Sequence, residues 1–362
     1  MSLSCGIVGL PNVGKSCLFN ALSNTKAESA NFPFCTIEPN VGLVSIPDQR
    51  LLTLAKIVQS DQIVPTTIEF VDIAGLVKGA AEGKGKGNAF LSNIREVDLI
   101  LHVVRCFDDD DIIHVEGSVD VQRDISIIEF ELILKDIESL EKKIQNLSKQ
   151  SKSGDKEAKS TLDDAKELLA HLEEGNSARS FRGGKVLFRD LFLLSQKPVL
   201  YACNVSEDDI VVGDNSYVQQ VTEYARSQGD EIVSFCAKIE AELAELNEDE
   251  RSMFLGELGI DQAGLARLIT AAYANLGLIT YFTAGPKETR AWTIRSGLKA
   301  PAAAGVIHTD FERGFIRAET IAFDDYVSFN GEKGAKEAGK MRQEGKEYVV
   351  KDGDVMLFRF NV

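Results

Sequence analysis

The sequence has no run of apolar residues long enough to cross a membrane. A bilayer-spanning helix needs about 20 predominantly apolar residues, and no stretch of this 362-residue chain approaches that length. The first residues, Met1 to Ser4, also lack the positive charge and the apolar segment that begin a secretory signal. We therefore expect a cytoplasmic protein without a membrane partner.

Closely spaced cysteines are absent as well. The six cysteines are scattered without Cys-x-x-Cys spacing, which argues against a disulfide framework and against a zinc site. We expect reduced thiols. Cys35 precedes a candidate functional threonine, Thr36, and would suit a redox-sensitive residue, although small buried cysteines are more common than reactive ones.

Positive charge is scarce. The chain has 40 Lys and Arg residues against 56 Asp and Glu residues, which gives a net charge of −16 at pH 7. Such an acidic surface opposes nonspecific binding to nucleic acid. The imbalance is confined to residues 1–277, because residues 278–362 carry a net charge of +1. Any contact with RNA is therefore expected from the C-terminal part.

The stretch Gly9–Ser16 matches the P-loop pattern Gly-x-x-x-x-Gly-Lys-Ser, between an apolar strand and an amphipathic helix. Gly9 and Gly14 allow a tight turn whose N–H groups converge on phosphate oxygens. Lys15 supplies a cation for the outer phosphates, and the Ser16 hydroxyl is a ligand for Mg²⁺. The residues expected to hold the triphosphate are Asn12, Val13, Gly14, Lys15, Ser16 and Cys17.

Short apolar runs alternate with helical patterns through the first three-quarters of the chain, and no internal repeat is present. Runs that are apolar throughout, such as 99–104, are typical of parallel strands covered on both faces. We predict an α/β fold with a doubly wound P-loop NTPase sheet. The predicted strands are 4–9, 41–46, 67–73, 98–105, 198–204 and 231–236.

A helical insertion is predicted between the fourth and fifth strands, within residues 120–190. Two apolar series with three- and four-residue spacing flank a polar turn at 150–155, a pattern typical of two antiparallel helices that share a narrow seam. We expect a coiled-coil hairpin that projects from the sheet; the alternative is a helix pair packed on the core. The series are Ile133, Ile137, Leu140, Ile144 and Leu147, then Leu162, Ala165, Leu169 and Leu172.

The pattern changes after a helix-like stretch at 256–276. Short strands with glycine turns follow, which predicts a small α+β domain. We therefore divide the chain into an NTPase domain, 1–277, which contains the insertion, and a C-terminal domain, 278–362. The predicted C-terminal strands are 291–294, 306–308, 315–321, 348–350 and 355–360.

Two further motifs have the composition of nucleotide switches. Thr36 is the lone threonine of a Pro-containing apolar loop at 31–40, and it is the candidate that closes over the γ-phosphate and completes Mg²⁺ coordination. Asp72 ends an apolar strand, where it would hold Mg²⁺ through water, and the N–H of Gly75 would sense the γ-phosphate.

Leu76 stands where Ras-like enzymes carry the glutamine that orients the attacking water. Leucine has no hydrogen-bonding group, so hydrolysis must be assisted by another residue or be slow. His114, in an acidic loop, is the candidate substitute, as a mobile histidine that reaches the γ-phosphate. A plain surface histidine is the alternative.

The base-recognition motif departs from that of GTPases. Asn-Lys-x-Asp would bind guanine through its carboxylate, but this chain has Asn204-Val205-Ser206-Glu207, without the lysine and with a longer acid. Losing a charged pairing with guanine removes discrimination. We expect adenine to be tolerated or preferred, with Asn204 and Val205 at the base edge and Ala237 in the second flanking loop.

These motifs together are similar to the Obg group of translation-factor-type GTPases. The Asn204–Glu207 variant, the insertion and the C-terminal domain resemble more narrowly the YchF or Obg-like ATPase family, over essentially the whole chain. The resemblance implies an ATPase that binds ribosomes, including the large subunit, with a C-terminal TGS domain of β-grasp fold linked to RNA contacts. It also implies that a hydrophobic residue replaces the catalytic glutamine, which Leu76 matches. Asn12 matches an asparagine that helps to hold K⁺ near the phosphates in related proteins.

The preferred hypothesis is a Mg²⁺-dependent ATPase that acts as a nucleotide switch at the ribosome, with a role in translation or stress. RNA contacts would come from the insertion and the TGS domain. One alternative is a GTPase of low selectivity. Another is an RNA- or ribosome-binding module in which hydrolysis is incidental.

Overall fold

A computed structural model describes residues 3–24, 41–73, 94–152, 155–183, 191–213 and 215–361. These residues form two units. The first contains residues 3–24, 41–42 and 69–272, and the second contains residues 43–68 and 273–361. Within the described residues, no helix is long and apolar enough to span a bilayer.

In the first sheet, the pairings of β1 with β4, β1 with β5, β5 with β6 and β6 with β7 are parallel. Its strand order is β2-β4-β1-β5-β6-β7. Every residue of β5 and β6 is buried, as expected for strands covered by helices on both faces. The doubly wound fold is thereby confirmed. The strands are β1 Ser4–Val8, β2 Val41–Ser45, β4 Thr67–Asp72, β5 Leu99–Arg105, β6 Val199–Asn204 and β7 Glu231–Phe235.

The helices of the first unit lie between and after these strands. They are α1 Lys15–Asn24, α3 Val121–Lys152, α4 Lys156–Glu173, α5 Glu207–Val212, α6 Ser216–Gln228, α7 Ala237–Leu243, α8 Glu248–Leu258 and α9 Gly264–Asn275. The carboxyl ends of parallel strands share one edge of a sheet, which is where ligands bind in folds of this class.

The predicted hairpin is formed by α3 and α4. The apolar residues predicted for its seam share one cluster: Ile133, Leu140, Leu147, Leu162, Ala165 and Leu172 are buried, and Ile137, Ile144 and Leu169 are partly buried. The first half of α3 instead bonds to the sheet region. Glu129 accepts from Tyr201 Oη at 3.0 Å, and Asp136 accepts from the N–H groups of Leu194 and Ser195 at 2.7 Å. The hairpin is thus anchored at its base by buried polar contacts.

The second unit contains a mixed sheet with strand order β11-β10-β12-β8-β9-β3. β8 and β9 form an antiparallel hairpin, and β12 pairs antiparallel with β10 and parallel with β8. A parallel pairing of first and last strands around a helical connection is the β-grasp arrangement. The elements are α2 Gln49–Val58, β3 Gln62–Val64, β8 Leu278–Ala284, β9 Glu288–Arg295, α10 Ala300–Ile307, α11 Thr309–Arg313, β10 Phe315–Ala322, α12 Phe323–Ser328, α13 Glu332–Glu337, β11 Arg342–Glu344 and β12 Asp354–Phe360.

Residues 43–68 belong to this second unit, although the linear boundary between residues 277 and 278 places them in the first. Leu51 and Leu54 of α2 are buried in a cluster with Phe282 and Val355. β3 adds a parallel strand beside β9. Arg50 Nη1 also lies 2.6 Å from Asp352 Oδ2. A segment between two candidate switch motifs therefore completes the core of the C-terminal sheet.

Three predictions of secondary structure were wrong. Residues 306–308 end the helix α10, because its alanine-rich sequence begins with proline in the first turn, which favours a helix. Residues 348–350 form only an isolated bridge through Val349 to Lys299. The stretch 256–276 contains two helices rather than one, since Gly259 ends α8 in the left-handed conformation. Strands β3, β8 and β11 were missed.

Candidate nucleotide-binding site

The P-loop connects β1 to α1 and requires glycine at two positions. Gly9 has φ +151°, and a Cβ there would lie 2.5 Å from the carbonyl oxygen of Val103. Gly14 has φ +101°, and a Cβ there would lie 2.4 Å from Asn204 Nδ2. Both distances are too short for any side chain. The loop therefore packs tightly against β5 and β6, as a phosphate cradle of fixed shape does.

Lys15 is the first residue of α1 and is only 9% exposed. Its Nζ donates to the carbonyl oxygen of Leu10 at 2.5 Å. Burial lowers the pKa of Lys15 to about 8, against the opposing effect of the Asp72 carboxylate. Burial likewise raises the pKa of Asp72, and Lys15 opposes that shift. The Lys15 ammonium at the start of α1 and the Asp72 carboxylate at the end of β4 therefore interact electrostatically.

The oxygen donors predicted for Mg²⁺ fit that ion where the structure describes them. Ser16 is exposed in the first turn of α1, and Asp72 is half-buried at the end of β4. Hydroxyl and carboxylate oxygens are the hard donors that Mg²⁺ prefers, usually with water and phosphate as further ligands. P-loop NTPases generally use Mg²⁺ in this way. Thr36, Gly75, Leu76 and Cys35 lie outside the described residues.

Asn204 ends β6 and is almost fully buried. Its Nδ2 donates to the carbonyl oxygen of Val13 at 3.0 Å, and its Oδ1 accepts from the N–H of Ala237 at 3.0 Å. One side chain thus joins the P-loop to both loops predicted to flank the base. This joining role was missed at the sequence level. The amide has two hydrogens, so one remains for the base edge that was predicted.

Glu207 and Lys238 form an ion pair across the two base-flanking loops, with Lys238 Nζ 2.6 Å from Glu207 Oε2. Both side chains are exposed, by 47% and 67%. Val205 is buried, and its N–H donates to the carbonyl oxygen of Phe235 at 2.9 Å. Glu207 occupies the position whose carboxylate recognises guanine in GTPases. Its carboxylate instead faces Lys238, a pairing that the sequence did not predict.

His114 is not the exposed, mobile residue that was expected. Its side chain is only 4% exposed, and its Nε2 lies 3.0 Å from Asp124 Oδ2 of α3, although the pair is not aligned as a hydrogen bond. Its Nδ1 accepts from the N–H of Glu116 at 3.2 Å. Because the first turn of α3 covers the ring, the surface prediction was wrong. Whether His114 assists hydrolysis stays a prediction.

The loop that carries His114 is organised by Arg105, which sequence reasoning missed. The Arg105 side chain is buried and donates to the carbonyl oxygens of Phe107, Asp109 and Ile112 at 3.1, 3.0 and 2.8 Å. From the P-loop, Asn12 Nδ2 donates to the carbonyl oxygen of Ile113 at 3.1 Å. The sequence feature that could have indicated this role is the position of Arg105, a charged residue at the end of an otherwise apolar strand. The loop is thus fixed from β5 and from the P-loop.

Two family models match the chain. A model described as a 50S ribosome-binding GTPase matches residues 4–153, and a model for the C-terminal domain of YchF GTPases, described as a protein of unknown function, matches residues 278–361.

Full-length relatives match as well. The chain is 55% identical to a protein of Bacillus subtilis and 55% identical to a protein of Escherichia coli O157:H7, both named ribosome-binding ATPase YchF, over the whole of each chain. A solved structure entitled the Schizosaccharomyces pombe YchF GTPase superimposes with a TM-score of 0.89 at 39% identity, covering 99% of this chain and 98% of that one. A GTP-binding protein of Pyrococcus horikoshii shares the fold, with a TM-score of 0.60 at 16% identity.

Proposed function

The chain belongs to the YchF family of P-loop NTPases, and on this premise we propose that it hydrolyses ATP and binds the ribosome in a nucleotide-dependent way. The observation that carries the proposal is the convergence on Asn204, which ties the phosphate cradle at Val13 to the base loop at Ala237. One buried side chain thereby fixes the distance between the triphosphate subsite and the base subsite.

Each residue of the phosphate subsite has a proposed role. Asn12 to Cys17 hold the triphosphate, and Lys15 leaves the carbonyl oxygen of Leu10 to bind the more negatively charged outer phosphates. Mg²⁺, when bound, neutralises charge that develops on the phosphates. Ser16 and Thr36 would be its protein ligands, and Asp72 would hold its waters. Gly75 would report the γ-phosphate.

The base is proposed to be adenine rather than guanine. The names of the relatives include both ATPase and GTPase, so the argument depends on the site. Guanine recognition needs a free carboxylate aimed at two N–H groups, whereas Glu207 is paired with Lys238. Adenine instead needs an acceptor for its amino group, such as a backbone carbonyl of the Asn204–Glu207 segment.

Titration of ATP and GTP against the purified protein with Mg²⁺ tests the base assignment. We expect ATP to bind more tightly than GTP. Equal affinities would favour the alternative, a GTPase of low selectivity, and about tenfold tighter binding of GTP would overturn the adenine argument. A Glu207→Gln variant is the matched control, because it should change the affinity of neither nucleotide if the carboxylate does not contact the base.

His114 is proposed to assist hydrolysis in place of the glutamine that Leu76 replaces. An imidazole can accept a proton from water, which leucine cannot do. We expect His114→Ala to slow single-turnover hydrolysis by about a hundredfold, the usual lower range for a general base, with unchanged ATP binding. Unchanged hydrolysis would remove the assignment.

Ribosome binding is proposed from the names of the two bacterial relatives. We further propose that the chain binds the large subunit and acts in the cytoplasm. The hairpin and the TGS-like C-terminal domain would contact the RNA. Co-sedimentation with ribosomes in ATP, ADP or no nucleotide tests this. If the Lys15→Ala protein sediments equally in all three conditions, ribosome binding does not depend on the nucleotide. The protein would then be an RNA- or ribosome-binding module in which hydrolysis is incidental.

A requirement for K⁺ is proposed from Asn12. Its Nδ2 is bonded to Ile113, which leaves its Oδ1 as a ligand for a monovalent cation. Turnover should be faster in K⁺ than in Na⁺, and equal turnover would remove this proposal.

A further inference from the structure

The loop 106–120 lies between the P-loop and the first turn of α3. It is held on the P-loop side by the bond from Asn12 to the carbonyl oxygen of Ile113. On the α3 side, the next residue, His114, lies against Asp124. Consecutive residues of the loop therefore contact the nucleotide site and the helical insertion.

Both nitrogens of His114 are engaged in this position. Nδ1 accepts from the N–H of Glu116, which places the ring proton on Nε2 in the neutral form, and Nε2 faces Asp124 Oδ2 at 3.0 Å. The ring is also buried. A histidine in this position is poorly placed to orient water or to accept its proton, because its Nδ1 already accepts a hydrogen bond and its Nε2 is buried against Asp124.

Asp124 is itself fixed by Arg123. The guanidinium of Arg123 donates to Asp124 Oδ1 from Nε at 3.0 Å and from Nη2 at 2.8 Å, and Nη2 also donates to the carbonyl oxygen of Ser118. Asp124 lies in the first turn of α3, where the helix dipole stabilises a carboxylate. The partner of His114 is thus held in place independently of the histidine.

The contact between the two residues is close but poorly aligned. Neither His114 Nε2 nor Asp124 Oδ2 makes a hydrogen bond of good geometry, although both atoms are buried. Misaligned contacts are weaker than aligned ones. Separating the ring from Asp124 therefore removes one imperfect contact, whereas Asp124 retains both bonds from Arg123.

We propose that Asp124 is a positioning residue that holds His114 in a withdrawn, inactive position, and that ATP hydrolysis requires release of this contact. The proposal rests on the proposed role of His114 in hydrolysis. It also gives the insertion an effect on the rate, because a displacement of the first turn of α3 moves Asp124. A partner bound to the hairpin would then accelerate hydrolysis without touching the nucleotide.

Steady-state and single-turnover ATP hydrolysis by the full-length protein without ribosomes tests the proposal. Asp124→Asn should raise kcat about fivefold, because a larger fraction of molecules has His114 released, with unchanged KM for ATP. Asp124→Glu should retain the low rate, because it keeps the carboxylate. Ser126→Ala, on the exposed side of α3, is the control and should leave kcat unchanged.

The effect of Asp124→Asn must depend on His114. In the His114→Ala background, the substitution should leave kcat unchanged, and an equal rise in that background would overturn the proposal. A fall in kcat for Asp124→Asn alone would overturn it too, since Asp124 would then orient an active histidine. If His114→Ala hydrolyses ATP like the wild type, the role of His114 fails, and if the wild type hydrolyses no ATP, the proposed function fails.

Chemical modification supplies a measurement that needs no variant. Diethyl pyrocarbonate reacts with accessible imidazoles, and peptide mass spectrometry distinguishes the four histidines of the chain. His114 should be protected in the nucleotide-free protein and should react faster with Mg²⁺ and a nonhydrolysable ATP analogue. Equal protection in both states would overturn the proposal.

Discussion

Individual residues of this protein have roles that depend on their partners across the fold. Asn204 serves as a joint between three segments because both ends of its buried amide are bonded. His114 is withdrawn from solvent because Asp124 of α3 lies beside it. In both cases the residue type was identified from sequence, and its contacts explain what it does.

Substitution of Gly14 should weaken nucleotide binding. In Gly14→Ala the new methyl group would lie 2.4 Å from Asn204 Nδ2, at a φ of +101° that alanine rarely adopts. We expect the ATP dissociation constant to rise by more than about tenfold, because the loop must shift away from Asn204. Isothermal titration calorimetry checks this. Gly256→Ala is the control, since a Cβ there meets nothing within 4 Å; a similar loss in that variant would contradict the argument.

Asp230 should make stability depend on pH. It lies 3.0 Å from Arg179, which also pairs with Glu129 at 3.1 Å. Burial raises the pKa of Asp230 to about 6 against the opposing effect of Arg179, whereas the pKa in an unfolded chain is about 3.9. Between these values the native state binds more protons than the unfolded state. The contribution of this group is therefore present at low pH and is lost as pH rises through about 6.

Asp230→Asn removes this titration. Urea unfolding at pH 5 and pH 7.5 should show that the variant gains stability relative to the wild type at the higher pH, where the wild-type carboxylate is charged. A difference between the two proteins that stays constant with pH would contradict the shifted pKa.

At the scale of elements, the hairpin is joined to the sheet by polar contacts and within itself by apolar ones. Glu129 and Asp136 anchor the first half of α3, and the seam cluster closes the second half against α4. The polar contacts lie between Glu129 and Asp136, whereas the seam continues past them to Leu147. The seam can therefore be weakened without disturbing the nucleotide site.

Leu140→Ala tests this separation. Leu140 is fully buried in the seam, and removal of a buried leucine side chain costs about 2 to 5 kcal/mol. We expect the free energy of unfolding to fall by an amount in that range, whereas ATP affinity should not change. Circular dichroism melts and nucleotide titration measure the two effects. Glu141→Ala, at an exposed position of α3, should change neither quantity, and a loss of ATP affinity in Leu140→Ala would show that the two regions are coupled.

At the scale of the molecule, the second unit is built from two distant parts of the chain. Residues 43–68 supply α2 and β3 to a sheet whose other strands come from residues 278–360. The covalent chain leads from this segment toward Thr36 in one direction and to Asp72 in the other.

The C-terminal segment should not fold by itself. A fragment of residues 278–362 lacks Leu51 and Leu54, so Phe282 and Val355 lose their partners on that face. We expect the fragment to give an unfolded or aggregated NMR spectrum. A fusion of residues 43–68 to the same fragment through a flexible linker should give a dispersed one. A folded fragment without the segment would contradict this account.

The sequence by itself determined the local features. Six strands of the first sheet were predicted to within one residue at each end, because apolar runs and flanking turns are local signals. The P-loop and the hairpin seam were predicted for the same reason, as repeating patterns of neighbouring residues. Only the tertiary structure decided the partners of His114, Asn204 and Glu207 and the place of residues 43–68. These depend on contacts between residues far apart in the chain, and no local pattern encodes which distant surface a segment covers.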